Sequence, residues 1–318
     1  MQCAHRSISG VPLSNLLVMA AGAKVAASLL LLRRAVNNEF EVLMTQRRTR
    51  MTYSNSYVFP GGTLDAGDRL EKWSAVLPLA EAEVLPATSM TASVDLSQLK
   101  LAAIREAYEE VGVFLGKGQP AIGEKRSFLE KCVQSDPSKG AIPGLDLLHY
   151  FMRFVTGVDF KLRFDTTFFA AETSNSSNVE LCTDESKAFR WVTPLQGLNL
   201  FESRLMKMYP PQLYVLYVLS HVTDLETLFR LCKDSVRQPI IPSFRYNEGS
   251  TGLSAMMPGD QQYPHPIPWT AQGKHRVILD LIEGLSFEVS PGISNFIDQS
   301  PYKVTKKVHT WQRTPKSS

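Results

Sequence analysis

The stretch from Leu101 to Leu115 constrains this chain more than any other. Leu101, Ile104, Tyr108, Val111 and Leu115 recur at steps of three and four, the spacing that lines side chains along one stripe of an α-helix. That stripe is expected to enter the core, with Leu115 on the helix. At about 100° per residue, Glu106, Glu109 and Glu110 fall on the opposite side as one acidic patch. Like charges at these spacings repel by a few tenths of a kcal/mol per pair, so the grouping implies either a solvated acidic face or a bound cation. Full-charge oxygen ligands suit a hard ion, Mg2+ or Mn2+, rather than zinc or copper. Gly112 follows the cluster, where a backbone or a ligand can approach closely.

A second constraint lies upstream. Tyr57-Val-Phe-Pro-Gly-Gly62 breaks a strand at its proline, and its two glycines let backbone come close to an ion or a phosphate. Just before it stands a short basic cluster, Arg47, Arg48 and Arg50. Clustered arginines are either solvated or hold phosphate oxygens with two guanidinium nitrogens at once.

Gly62 is followed by five residues and then Asp68. With Arg105-Glu-Ala-Tyr-Glu-Glu-Val-Gly-Val113, this arrangement resembles the two halves of the Nudix box. Two features depart from the family pattern. The acid of the first half is Asp68 rather than Glu, and residues 69 to 104 stand where the family has a much shorter spacer. The segment from Val42 to Arg47 with Phe59-Pro-Gly-Gly62 resembles the signature that precedes the box in coenzyme A diphosphatases. Trp73, Arg163-Phe-Asp-Thr166 and Pro258-Gly-Asp260 with Tyr263 resemble its peroxisomal subgroup, which also carries a long insertion inside the box.

The resemblance implies roles. Glu106, Glu109, Glu110 and the carbonyl of Gly62 would ligate Mg2+ or Mn2+, with Arg105 orienting the carboxylates. Arg47, Arg48, Phe59, Gly61 and Gly62 would touch substrate. Ala188-Phe-Arg-Trp-Val-Thr-Pro194 is similar to a strand of the family that follows an acid, here Glu185, a candidate base or further ligand or else a turn carboxylate. The implied reaction is hydrolysis of a nucleoside diphosphate linkage, in coenzyme A or acyl-coenzyme A before other substrates. Alternatives from the same residues are a Nudix hydrolase of capped RNA or another nucleotide, a non-catalytic Nudix binding module, and a plain acidic surface.

Bulk properties exclude little else. Thirty-four Lys plus Arg against 31 Asp plus Glu leave +3, too near neutral to indicate DNA or an acidic membrane surface. Cys3, Cys132, Cys182 and Cys232 are scattered with no CxxC pair, so reduced thiols of an intracellular protein are expected rather than a zinc knuckle or a disulfide framework. The first 38 residues hold no acid, which allows a mitochondrial address. The resemblance implies the peroxisome, although Lys316-Ser-Ser318 is not a Ser-Lys-Leu signal.

The expected class is α/β or α+β, a Nudix fold with a mixed β-sheet sandwiched between helices. Residues 1–22 are expected as an arm or targeting segment, 23–235 as the Nudix domain and 236–318 as a C-terminal extension packed on it. Lys24 to Gln46 reads as a β-hairpin, which argues against a membrane span. The insertion, about 69–98, reads as a short helix and a loop, acting as a lid or wall of the site or else as a tolerated surface excursion. Helices are expected near Ser127, from Pro210 and from Asp224, strands from His149 and Arg163, and a hairpin from Lys274 to Val289. His221 reads as a helix-end packing residue.

Overall fold

A computed structural model describes residues 22–48, 54–77, 83–88, 91–121, 127–133, 140–157, 160–174, 179–181, 186–234, 238–246, 252–264, 273–280, 284–291, 293–307 and 310–316. Residues 1–21, Glu185, Cys3 and Cys182 lie outside the described residues.

Strand β1 (Lys24–Arg34) is the centre of the fold, and a 3-10 turn over Val36–Asn38 returns the chain into β2 (Phe40–Arg47), antiparallel to it. This is the expected hairpin. Residues Ala26 to Leu32 are buried without alternation, as a strand covered on both faces must be. Two short strands, β3 (Tyr57–Val58) and β4 (Gly61–Thr63), pair with β2 and β1. They fill the end of the sheet where β1 begins and β2 ends.

The insertion differs from its expected helix. After a 3-10 turn over Ala66–Asp68, its described residues form a second such turn over Leu70–Trp73, then a two-rung ladder of β5 (Val84–Leu85) with β6 (Val94–Asp95). Trp73, Leu77 and Leu85 are buried in the same core as the acidic helix, and the Trp73 indole donates to the Gly67 carbonyl at 2.8 Å. Burial of those three side chains, at about 1.5–3 kcal/mol for each fully buried large apolar group, makes the insertion part of the fold rather than an excursion.

Helix α1 (Leu96–Val111) starts at Asp95, whose side chain accepts the Ser97 N–H at 2.7 Å, and stops at Gly112 with φ 71°. Leu115 is therefore past the helix, although still buried. The left-handed turn at Gly112 is one that side-chain-bearing residues adopt at a cost. The buried face carries Leu99, Ala102, Ala103, Ile104, Ala107 and Val111; its alanines let the helix lie close against β1.

Further along come β7 (Gly116–Lys117), α2 (Phe128–Cys132) capped by Ser127, and β8 (Ile142–Pro143). Then follow β9 (His149–Val155), β10 (Phe164–Glu172) and β11 (Ser186–Val192). Helices α3 (Pro194–Glu202), α4 (Pro210–Leu219) and α5 (Leu225–Lys233) precede β12 (Pro239–Ile240). The main sheet runs β11-β2-β1-β10-β9-β12, with β1 parallel to β10. Alternate residues feed two cores: Leu29, Leu31 and Leu43 face α1 and the insertion, while Leu30, Leu32, Val42 and Met44 face α3 to α5. The class is mixed α/β, as expected.

The C-terminal extension, in which the sequence showed a hairpin from Lys274 to Val289, adds a four-stranded antiparallel sheet. Its strands are β13 (Ser243–Tyr246), β14 (Leu253–Met256), β15 (His275–Asp280) and β16 (Gly284–Val289). A short helix α6 (Asn295–Asp298) and a hairpin of β17 (Tyr302–Lys307) with β18 (Thr310–Pro315) follow. Val277, Leu285, Val304 and Trp311 join the core formed by α3 to α5. Tyr217 stacks on Phe287 at 3.9 Å between ring centres, and the Tyr214 hydroxyl meets His275 Nε2 at 2.7 Å. No helix among the described residues is long and apolar enough to cross a membrane.

Candidate active site

Of the two readings of the acidic patch on α1, a solvated face and a bound cation, the first does not describe all three carboxylates. Glu110 is buried and accepts the Gly61 N–H at 3.2 Å. Glu106 lies so close to Gly62 that a Cβ there would collide with its carboxylate. Glu109 is the most open, its side chain 40% exposed. The diglycine turn thus meets the acidic helix directly, although 42 residues lie between Gly62 and Arg105. The cause is sheet register: Gly62 pairs with Ala27 and Gly61 with Ser28, and α1 packs across β1 at this level.

Arg105 organises the rest. Its Nε and one terminal nitrogen donate to the two oxygens of Asp68 at 2.8 and 2.9 Å. Its other terminal nitrogen donates to Glu106 at 2.9 Å and Glu109 at 3.0 Å. A further bond runs to the Thr63 carbonyl at 3.2 Å. Burial lowers the guanidinium pKa, but the Asp68 hydrogen bond and the charges of Glu106, Asp68 and Glu109 outweigh it and raise the net value. Asp68 sits in a capping box, its carboxylate accepting the Asp65 N–H at 2.9 Å while the Asp65 side chain accepts from Gly67.

Three carboxylates therefore converge on one guanidinium, and a fourth, Glu110, is held by a backbone N–H. This donor set is all oxygen and exceeds the positive charge that Arg105 supplies, so it fits a hard divalent cation. Among the described residues, no three carboxylate, imidazole or thiol side chains are already gathered as ligands would be. Much of the ligand arrangement is taken up by Arg105, which holds the carboxylates in place.

The model of the NUDT19 Nudix domain matches residues 86–219 of this chain. The crystal structure of a NUDIX hydrolase from Alicyclobacillus acidocaldarius superposes with a TM-score of 0.51 at 24% identity, covering 66% of this chain and 96% of that one. The chain is a Nudix hydrolase. It is 27% identical over 249 residues to a protein named putative nudix hydrolase 7 from Caenorhabditis elegans, covering 75% of this chain and 74% of that protein. It is also 24% identical over 309 residues to the acyl-coenzyme A diphosphatase NUDT19 of Gallus gallus, covering 79% of this chain and 80% of that protein.

Within this Nudix hydrolase the remaining sequence candidates fall into three groups. Arg47 ends β2 on the α1 side of the sheet; its Nε is buried without a hydrogen-bond partner. Arg48 is exposed just beyond the strand. Phe59 goes elsewhere: it is buried in the core beneath α3 to α5 and meets Phe168 edge-on at 6.3 Å, so it braces the turn from behind rather than facing a ligand. The reason is alternation: Phe59 follows Tyr57 at a step of two into the same core, away from α1, while Gly62 faces Glu106. Glu185 lies outside the described residues.

One network was not foreseen from sequence. Arg153 on β9 and Asp165 on β10, both buried, form a two-point ion pair at 2.7 and 2.8 Å. Arg153 also donates to the Pro86 carbonyl at 2.7 Å, and the Thr91 hydroxyl donates to Asp165. The pair pins the loop between β5 and β6, whose second strand runs into α1. An arginine and an aspartate inside two aromatic strands were the available signal.

Proposed function

We propose that this Nudix hydrolase cleaves the diphosphate of coenzyme A or acyl-coenzyme A, giving adenosine 3′,5′-bisphosphate and 4′-phosphopantetheine or its acyl form. The observation that carries the reading is the contact of Gly62 with Glu106, which brings both halves of the box to one place despite the insertion. The substrate choice is supported by the relatives named acyl-coenzyme A diphosphatase and by the motifs around Arg47 and Asp165.

Glu106, Glu109 and Glu110, with the Gly62 carbonyl, would hold Mg2+ or Mn2+. When bound, such ions neutralise the diphosphate and lower the pKa of an attacking water. The protein's own contribution is placement. Arg105 fixes Glu106 and Glu109 through one nitrogen, and the Gly61 N–H fixes Glu110. Arg47 would take diphosphate oxygens with its guanidinium fork.

Incubation with coenzyme A, acyl-coenzyme A and capped RNA, with and without magnesium, tests this directly. The expected result is metal-dependent release of adenosine 3′,5′-bisphosphate. Cleavage of capped RNA or another nucleotide with coenzyme A left intact would replace the substrate assignment. A peroxisomal address accompanies the reading, with the mitochondrion as the alternative, and co-localisation of the tagged full chain decides between them.

A further inference from the structure

Beside the diglycine turn, on the same face as α1, two side chains without an assigned task, Thr45 of β2 and Phe189 of β11, stand together with Arg47. Leu43 points toward α1 and Met44 away from it, so alternation along β2 puts Thr45 and Arg47 on the α1 side. Thr45 pairs across the sheet with Phe189 of β11, which places the Phe189 ring on that face as well. Phe189 is 38% exposed, unusual for a phenylalanine in the main sheet. Thr45 is 1% exposed, yet its hydroxyl has no hydrogen-bond partner, and neither has the buried Nε of Arg47. Two unmet polar groups two residues apart on one strand are costly, since each was stripped of water without gaining a partner.

On its other edge Thr45 pairs with Val58, and the chain runs from Val58 through Phe59 and Pro60 into the Gly61 and Gly62 turn. The lane from Phe189 past Thr45 therefore leads to the carboxylates of α1. Its chemistry is a flat apolar ring across the ladder from a hydroxyl, with a guanidinium about 7 Å from that hydroxyl along β2. That arrangement matches a heteroaromatic base, a sugar and a phosphate.

We propose that Phe189, Thr45 and Arg47 form the subsite for the nucleoside half of the substrate, with the base stacked on Phe189 and the phosphate on Arg47. The inference rests on the nucleoside diphosphate reading above and names which side of the site the nucleoside occupies. It also makes Phe189 a specificity residue: it favours substrates that carry an aromatic base over diphosphates that carry only a sugar.

The test compares two substrates that differ only in the base, an alkyl ester of adenosine 5′-diphosphate and the same ester of ribose 5-diphosphate, in the full chain. Loss of one stacking contact is expected to cost the Phe189→Ala variant roughly tenfold of the preference in kcat/KM for the base-bearing ester. Phe189→Trp should keep the preference, and Leu205→Ala, at a 67% exposed site elsewhere, should not alter it. Binding of adenosine 3′,5′-bisphosphate, followed by calorimetry without turnover, should weaken by a similar factor in Phe189→Ala. Thr45→Val separates binding from structure. A role in the subsite raises KM for the base-bearing ester, whereas a merely unsatisfied core hydroxyl gives a higher melting temperature and an unchanged KM. An unchanged base preference in Phe189→Ala, with unchanged bisphosphate binding, overturns the subsite while leaving the diphosphatase reading standing. Absence of cleavage of any nucleoside diphosphate ester by the wild-type chain overturns both.

Discussion

Asp68 and Arg105 face each other through two hydrogen bonds, at 2.8 and 2.9 Å, with both side chains buried. The shorter acid in the first half of the box thus reaches its arginine, because the 3-10 turn over Ala66–Asp68 carries it inward. Removing one partner of such a pair leaves a buried charge uncompensated. Asp68→Ala is expected to lose about 3 kcal/mol or more of stability, read as a lower melting temperature. It should also lower turnover, since Arg105 then loses the anchor that fixes where it holds Glu106 and Glu109. Unchanged stability would mean that the pair is not buried as described.

Gly62→Ala separates site from scaffold. The added methyl meets the far end of the Glu106 side chain, which can rotate away without disturbing the backbone. Stability should change by less than about 1 kcal/mol, while displacement of a carboxylate by about an ångström should lower kcat roughly a hundredfold. Steady-state kinetics beside a thermal melt gives both numbers. A normal kcat would detach Glu106 from the chemistry.

Glu109→Gln tests the same carboxylate set from its open side. The side chain is 40% exposed, so the fold should tolerate the change. Turnover with magnesium is expected to fall by orders of magnitude. Circular dichroism and a metal titration of kcat check that the loss is one of ligation.

The Arg153 and Asp165 pair predicts a local effect. Asp165→Asn leaves the buried Arg153 without its counter-charge, a change that costs about 3–5 kcal/mol. Loosening should concentrate where the pair holds the insertion. Hydrogen exchange is expected to accelerate at Val84–Leu85 and Val94–Asp95 more than in β1; a uniform increase would show that the pair supports the whole sheet instead.

His221 predicts the acid limb of stability. Its ring is buried and bonded to the Tyr217 carbonyl at 2.8 Å. Burial pushes its pKa from 6.5 down to about 4, an effect that the nearby Lys316 and Arg313 reinforce and the Tyr217 bond opposes. The unfolded chain therefore takes up a proton at a higher pH than the folded one. Stability from this group is complete above about 6.5 and is lost as pH falls toward about 4, on the order of 3 kcal/mol in all. His221→Gln should flatten denaturation midpoints over that window relative to wild type.

Much of the site was legible because its parts are local in sequence. Arg105 to Gly112 is one helix end, and Tyr57 to Gly62 is one turn, so spacing and residue type expose both. That they touch was legible only through resemblance, since the contact depends on the register of β4 on β1. Phe59 misled for a related reason: next to two glycines it reads as part of the turn, but alternation turns it into the opposite core. The insertion misled because alanine, leucine and glutamate favour helix as isolated residues, whereas the burial of Trp73, Leu77 and Leu85 against α1 selects 3-10 turns and a short ladder instead. The C-terminal stretch showed its hairpin but not its partners. Tyr214 and His275, or Tyr217 and Phe287, are matched only in three dimensions.

The stretch matching the family model begins at residue 86, so the diglycine turn and all of β1 to β4 precede it. A fragment cut to those limits would keep the carboxylates and forfeit the surface against which they are arranged, while exposing the flank of β10 that β1 covers. Trimming the other end is no safer, because Trp311 and Val304 are wedged among the helices that close the far core. Any minimal version of this enzyme has to retain both extremities of the described chain, and a shortened one should be expected to clump rather than to work.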